Sequence, residues 1–236
     1  MLEIHDFLRY SRPMSLTEVG TSGQLKLKEA KVLVIGAGGL GSPILTYLAT
    51  SGIGHLGVVD FDRVEIHNLH RQILFTEDDL GQYKVDCAAK RIQQLNPHLA
   101  FYPYQVRLTA DNSEALFSSF DYIVDGTDNF ETRYLVNDTC LKLGKPLIYG
   151  TILNFQGQLA VFNHKGGKQL RTLFPEPPDP KDVPNCSLHG VLGTFPGIIG
   201  TMMAQETIKV ILDIHPLHNQ LLLIDTLHWN IQALRF

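Results

Sequence analysis

The run Val32-Leu-Val-Ile35 leads directly into Gly36-Ala-Gly38-Gly39-Leu-Gly41, and this junction narrows the fold more than anything else in the chain. A short, unbroken, β-branched apolar run suits a strand buried on both faces of a parallel sheet. The glycines then allow a tight turn, and the apolar segment Leu40 to Thr50 reads as a helix packed close behind it. A second run, Leu56-Gly-Val-Val-Asp60, returns after Gly52 and Gly54 and completes a strand, helix, strand unit with a right-handed crossover. The expected fold class is therefore α/β, a Rossmann-like doubly wound and mainly parallel sheet.

The alternation continues to about residue 150. Glu77 to Leu95 reads as a helix, Phe101 to Val106 and Tyr122 to Val124 as strands, Phe130 to Leu143 as a helix, and Pro146 to Tyr149 as a strand. Beyond that point Gly157 to Asn163 and Leu221 to Asp225 read as strands, Thr226 onward as a strand pairing back, and Ile198 to Leu212 as a buried helix. These late strands are expected to extend the same sheet in antiparallel fashion. With 236 residues, one domain is the expectation, with a nucleotide-binding half over 1–150 and a second half over 151–236. Pro175 to Pro184 holds five of the twelve prolines, which excludes a helix or a central strand and marks an exposed crossover loop over about 175–190.

Composition removes several function classes. A chain that is 44% hydrophobic and 19% charged is too apolar for disorder and too mixed for a membrane protein. A formal net charge of −4 supplies no basic field for phosphate backbones, so no nucleic acid is expected as the main ligand. Cys87, Cys140 and Cys186 are too few and too scattered for a disulfide framework, and the start Met-Leu-Glu-Ile-His-Asp lacks the pattern of a secretory signal. The longest stretch free of Asp, Glu, Lys and Arg, Val183 to Gln205, is interrupted by prolines and glycines and makes a poor membrane span. A cytoplasmic protein without membrane contact is the expectation.

The glycine motif, strand before and helix after, is a phosphate cradle in which Gly36, Gly38, Gly39 and Gly41 allow turn, backbone approach and helix packing. Asp60 stands where a ribose-binding carboxylate belongs. Most such fingerprints bind dinucleotides, but the following residues favour a triphosphate. Asp62, Asn68, Arg71, Gln72 and Lys84 place two cations and several amides just after the ribose acid. Cleavage of a triphosphate calls for cations aimed where charge develops, whereas a dehydrogenase needs few charges there.

Arg9-Tyr-Ser-Arg12, Gly36 to Ser42, Asp60-Phe-Asp62, Asn68 to Leu74, Gly81-Gln-Tyr-Lys84, Leu95-Asn-Pro97 and Asp125-Gly-Thr-Asp-Asn-Phe130 together resemble the ThiF/MoeB/HesA family, bacterial relatives of ubiquitin-activating enzymes. The resemblance runs in register from about residue 7 to the end. It implies an ATP-dependent adenylyltransferase that activates the C-terminal glycine carboxylate of a ubiquitin-fold sulfur carrier ending in Gly-Gly, for thiamine or molybdopterin synthesis, with a separate protein as sulfur donor. It also implies that Asp60 holds the ribose, that Asn68, Arg71, Gln72 and Lys84 surround the phosphates, that Asp128 holds Mg²⁺, and that Asp62 and Asn129 also belong to the nucleotide site. Arg12 would reach the triphosphate in a neighbouring subunit, so that a homodimer carries composite sites.

Two departures stand out. Many members of that family hold a structural zinc with two Cys-x-x-Cys pairs, but Gln169 and Thr172 stand at the first pair and the second is missing. No structural zinc is expected, and that region should be held by packing alone. Cys186, near His189 in the crossover loop, occupies the position of a cysteine that in some members takes part in sulfur transfer and in others stands idle. The other readings are adenylation of a tRNA base or a peptide, a catalytically silent dimeric scaffold, and a nicotinamide oxidoreductase. The last two make no use of the cation cluster.

Overall fold

A computed structural model describes residues 1–178 and 190–236. Helices α1 (Ile4–Arg9), α2 (Ser11–Met14) and α3 (Gly20–Glu29) precede β1 (Lys31–Ile35), α4 (Gly41–Thr50) and β2 (His55–Val59). Then come α5 (Lys84–Leu95), β3 (Ala100–Tyr104), α6 (Ala110–Ser118), β4 (Tyr122–Asp125), α7 (Phe130–Leu143), β5 (Leu147–Leu153) and β6 (Gln156–Phe162). The chain closes with α8 (Leu170–Leu173), α9 (Thr194–Leu212), β7 (Gln220–Asp225) and β8 (Asn230–Arg235). These strands form one sheet in the order β3-β2-β1-β4-β5-β6-β7-β8.

The pairings from β3 through to β5 are parallel, and those from β5 through to β8 are antiparallel. The strand order reverses between β1 and its two parallel neighbours, β2 and β4. A crevice opens at such a point, outside the carboxyl ends of the strands. The continuous apolar run of β1 has a direct cause. Val32 and Val34 enter the core under α4, α5 and α9, while Leu33 and Ile35 enter the opposite core under α6 and α7, and all four are buried. The residues of β1 between these two layers are therefore apolar on both faces, which removes the alternation of a half-exposed strand.

The glycine loop fits where it does because two of its members cannot carry a side chain. Gly36 has φ +91°, in the left-handed region, and a Cβ on Gly41 would run into the carbonyl oxygen of Gly36. Gly36 N–H donates to the Val59 carbonyl oxygen at 2.8 Å and thereby ties the loop to the end of β2.

Several expected boundaries shift. The helix read over Glu77 to Leu95 is two elements, a 3₁₀ turn at Glu77–Asp79 and α5 from Lys84. Gly81, at φ +77°, turns the chain between them, and its N–H bonds the Val64 carbonyl oxygen instead of a helical partner. The strand read over Pro146 to Tyr149 extends to Leu153, because its pairing with β6 continues as far as Gln156. The β7–β8 pairing runs from Gln220 opposite Arg235 to Asp225 opposite Asn230. Helices α1, α2, α3, α6 and α8 were not anticipated from the sequence.

Two glycine substitutions separate packing from helix propensity. Gly41→Ala should lower stability by about 1–3 kcal/mol through overpacking. Gly197→Ala, within α9 where an added Cβ meets nothing within 4 Å, should be neutral or stabilising by up to about 1 kcal/mol. Thermal and denaturant unfolding of the two variants checks both signs.

Candidate functional site

The crevice at the carboxyl ends of the parallel strands is a cavity of about 1290 Å³. Its floor is the glycine loop, where Gly36, Gly38 and Gly39 face the opening while Gly41 packs beneath them. Asp60 follows β2 and is 9% exposed. Its Oδ2 accepts the Ala37 N–H at 2.8 Å and its Oδ1 accepts the Asp62 N–H at 2.8 Å. One carboxylate therefore braces the glycine loop and the start of the next loop. Burial pushes the Asp60 carboxyl above its ordinary value, against the pull of the Lys84 charge and the two N–H groups.

The connection from Asp60 to Lys84 supplies the polar wall. Asn68 is buried, and its Oδ1 accepts the Glu65 N–H at 3.2 Å. Gln72 is 3% exposed, with its amide facing Gly38, and its buried Oε1 has no hydrogen-bond partner among the described residues. Arg71 donates from its guanidinium to the His67 carbonyl oxygen at 2.9 Å, which leaves donors for the cavity. Lys84 opens α5, is 5% exposed, and pairs with Asp62 Oδ2 at 2.9 Å. Its ammonium is thus held in place before any ligand arrives.

The opposite wall follows β4. Asp128 lines the cavity, and its carboxylate makes no hydrogen bond or ion pair with any described residue. The cap of α7 is Asn129, whose Oδ1 accepts the Thr132 N–H at 2.9 Å. Asn129 also lines the cavity, but this capping bond commits its side-chain oxygen to the helix.

The structure thus brings Gly36, Gly38, Gly39, Asp60, Asp62, Asn68, Arg71, Gln72, Lys84, Asp128 and Asn129 to one cavity. It does not bring Arg12 there. That residue sits on exposed α2, outside the lining of its own chain's cavity. Cys186 and His189, with most of the crossover loop, lie outside the described residues. Cys87 and Cys140 are buried free thiols, and burial pushes Cys87 up to about 11 and raises Cys140 further. Neither is a nucleophile at neutral pH.

Sequence reasoning missed Arg107. It lines the cavity with its guanidinium carbon 4.2 Å from the centroid of the Phe61 ring, a cation–π pair at the rim. Its placement just past the carboxyl end of a parallel strand was the available signal. The Thr151–Asn154 end of the β5–β6 hairpin also contributes wall.

The region around Gln169 and Thr172 corrects one expectation, since packing alone does not hold it. Asn137 Oδ1 accepts the Leu170 N–H at 3.0 Å and Asn137 Nδ2 donates to Gln169 Oε1 at 3.2 Å. Arg171 grips Asp138 with two bonds of 2.9 and 2.8 Å, and the Tyr134 hydroxyl reaches the Phe174 and Glu176 carbonyl oxygens at 2.9 and 2.8 Å. Polar contacts fasten α8 to α7. Among the described residues, no three His, Cys, Asp or Glu side chains cluster so as to hold a metal. No helix there is long and apolar enough to cross a membrane.

The ThiF family model matches residues 10–236. The sulfur carrier protein adenylyltransferase of Thermus thermophilus is 49% identical over 232 residues, covering 96% of this chain and 86% of that protein. The adenylyltransferase and sulfurtransferase MOCS3 of Culex quinquefasciatus is 51% identical over 211 residues, covering 89% of this chain and 48% of that protein. The chain spans about half the length of the MOCS3 and UBA4 relatives it matches. Among solved structures, PaaA shares the fold with a TM-score of 0.84 at 20% identity, covering 99% of this chain and 74% of that one. MccB of E. coli with ATP gives 0.79 at 22%, covering 96% and 71%.

The Arg171–Asp138 pair carries a pH signature. The Arg171 hydrogen bond holds the Asp138 carboxyl below its ordinary value. Its stabilisation is complete above the ordinary carboxylate range and is lost as pH falls through the depressed value. Being partly exposed, the pair should contribute no more than about 1 kcal/mol. The difference in thermal midpoint between wild type and Arg171→Ala should therefore be largest at pH 7 and shrink as the carboxylate is protonated in acid, leaving the part due to the Arg171 bond to the Pro175 carbonyl oxygen.

Proposed function

This chain belongs to the ThiF family, and from that premise we propose that it is an ATP-dependent adenylyltransferase acting on the C-terminal glycine carboxylate of a ubiquitin-fold sulfur carrier. The observation that carries this reading is the gathering of Arg71, Lys84 and Asp128 around one glycine loop. Cations on one wall and a carboxylate on the other suit a triphosphate bound with a metal, and are more than a nicotinamide dinucleotide requires.

ATP enters with its phosphates over Gly38 and Gly39, and its ribose hydroxyls lie toward Asp60. The Gln72 amide nitrogen, 3.7 Å from where a Cβ on Gly38 would sit, is a donor that fits phosphate oxygens at that spot. The carrier carboxylate oxygen attacks the α-phosphorus. A bond to that oxygen forms, the bond to the β-phosphate bridging oxygen breaks, and pyrophosphate leaves with the electron pair. Arg71 and Lys84 stabilise the charge that grows on the departing oxygens, and both act with little reorganisation because His67 and Asp62 already orient them.

Mg²⁺ fits the donor set, because the carboxylate of Asp128 faces the cavity without a partner among the described residues and Mg²⁺ takes one or two carboxylates plus phosphate oxygens. Asp128 would hold the ion, which would supply positive charge to offset the negative charge of the phosphates. Arg12, absent from its own chain's cavity, is supplied to a second copy's site, so the working unit is a homodimer. A sulfur donor then displaces AMP from the acyl-adenylate. The reaction belongs in the cytoplasm, where free thiols such as Cys87 and Cys140 persist.

Two experiments test this reading. ATP–pyrophosphate exchange should depend on a carrier ending in Gly-Gly, and Arg71→Ala or Lys84→Ala should slow it by about 10²–10³-fold. Exchange independent of any carrier would reject the substrate. Arg12→Ala and Asp128→Ala should each be inactive alone, yet an equal mixture of re-equilibrated chains should recover about a quarter of wild-type activity. Half of the dimers are then hybrids, each with one intact site. No recovery in demonstrated hybrids would show that Arg12 does not act across the interface.

A further inference from the structure

Beneath the Thr127–Asp128 segment lies a charged pair that the reaction above does not use. Asp125, the last residue of β4, is 0% exposed, and Arg133, in the first turns of α7, is 3% exposed. Arg133 Nε approaches Asp125 Oδ2 at 3.5 Å, too long for a charge-assisted hydrogen bond, and neither atom has a hydrogen-bond partner among the described residues. A buried pair that leaves such atoms unsatisfied is a poor source of stability. Its short bonds go elsewhere. Asp125 Oδ1 accepts both the Thr127 N–H at 3.0 Å and the Thr127 Oγ1 hydroxyl at 2.6 Å. A guanidinium nitrogen of Arg133 donates to the Thr127 carbonyl oxygen at 3.1 Å.

We propose that Asp125 and Arg133 are positioning residues for the proposed metal ligand Asp128, gripping Thr127 from both ends and so fixing the peptide that carries the Asp128 carboxylate. The inference rests on the adenylyltransferase reading. Three observations bear on it. Thr127 is bonded at its N–H, its hydroxyl and its carbonyl oxygen, all to this one pair. On the other side, Asn129 caps α7 through Thr132 N–H, so the residues immediately before and after Asp128 are both tied down. The Arg133 guanidinium is itself confined, with its carbon 5.3 Å from the Phe130 ring centroid and 5.2 Å from that of Tyr149. A metal ligand held this way needs no rearrangement when the ion arrives, which is the usual role of groups behind a ligand.

The test uses the full chain with a non-hydrolysable ATP analogue, and titrates Mn²⁺ as a spectroscopic stand-in for Mg²⁺, reading free Mn²⁺ by electron paramagnetic resonance. Thr127→Val removes one of the grips without touching either charge, and Arg133→Lys keeps the charge but loses the second donor. Both should weaken Mn²⁺ binding to the enzyme–nucleotide complex by about 10–100-fold. Metal-free nucleotide affinity should hold, and Thr127→Ser, which restores the hydroxyl, should recover Mn²⁺ affinity. If folded Thr127→Val binds Mn²⁺ as wild type does, the proposal is wrong. A parallel loss of Mn²⁺ and metal-free nucleotide binding would also overturn it, by showing a general structural role. Failure of the wild-type protein to bind the analogue at all would instead reject the adenylyltransferase reading on which it rests.

Discussion

The 2.8 Å hydrogen bond from Ala37 N–H to Asp60 Oδ2 is the contact on which the rest of the site depends. It joins the turn after β1 to the residue after β2, and the same carboxylate holds the Asp62 N–H at 2.8 Å. Asp62 in turn anchors Lys84. A chain of three contacts thus runs from the glycine loop to the cation at the head of α5. The acid at its root is partly desolvated, and its interaction with Lys84 gains strength for the same reason. Loss of the Asp60 side chain would therefore disturb both the glycine loop and the placement of Lys84.

A second constraint comes from the sheet. Because β1 is covered on both faces, its neighbours must connect by crossovers above and below, and the strand order reverses beside it. Loops from β1, β2, β3 and β4 then open on one side, which is how residues as distant in sequence as Gly38, Arg71, Arg107 and Asp128 come to line one cavity. The antiparallel strands add a third wall through Thr151–Asn154. Polar contacts between α7 and α8 fasten the segment that carries Gln169 and Thr172, so cross-links between side chains do there what packing alone was expected to do.

Much of this was legible in the sequence because the signals were local. A β-branched run, four glycines and an acid at the end of the next strand specify the cradle within thirty residues. The cation cluster was also visible, and its charge alone favoured a triphosphate, while the role of each residue came from resemblance. What escaped is non-local. The break before Lys84 arises because Gly81 bonds back to Val64, a pairing no helical pattern reveals. Arg107 enters the cavity only once β3 is placed beside β2. Asp125 and Arg133 look like an ordinary acid and base eight positions apart until the turn between β4 and α7 folds them around Thr127. Arg12 shows the limit from the other side, since a single chain offers it no partner in the cavity.

The central claim is that this cavity directs a carboxylate to the α-phosphate of ATP. Intact-mass analysis of a Gly-Gly-terminated carrier after incubation with the protein, ATP and Mg²⁺ tests it most directly. The account predicts that the carrier gains one AMP and that pyrophosphate appears in equal amount. A carrier that gains a single phosphate, with ADP as the product, would contradict it.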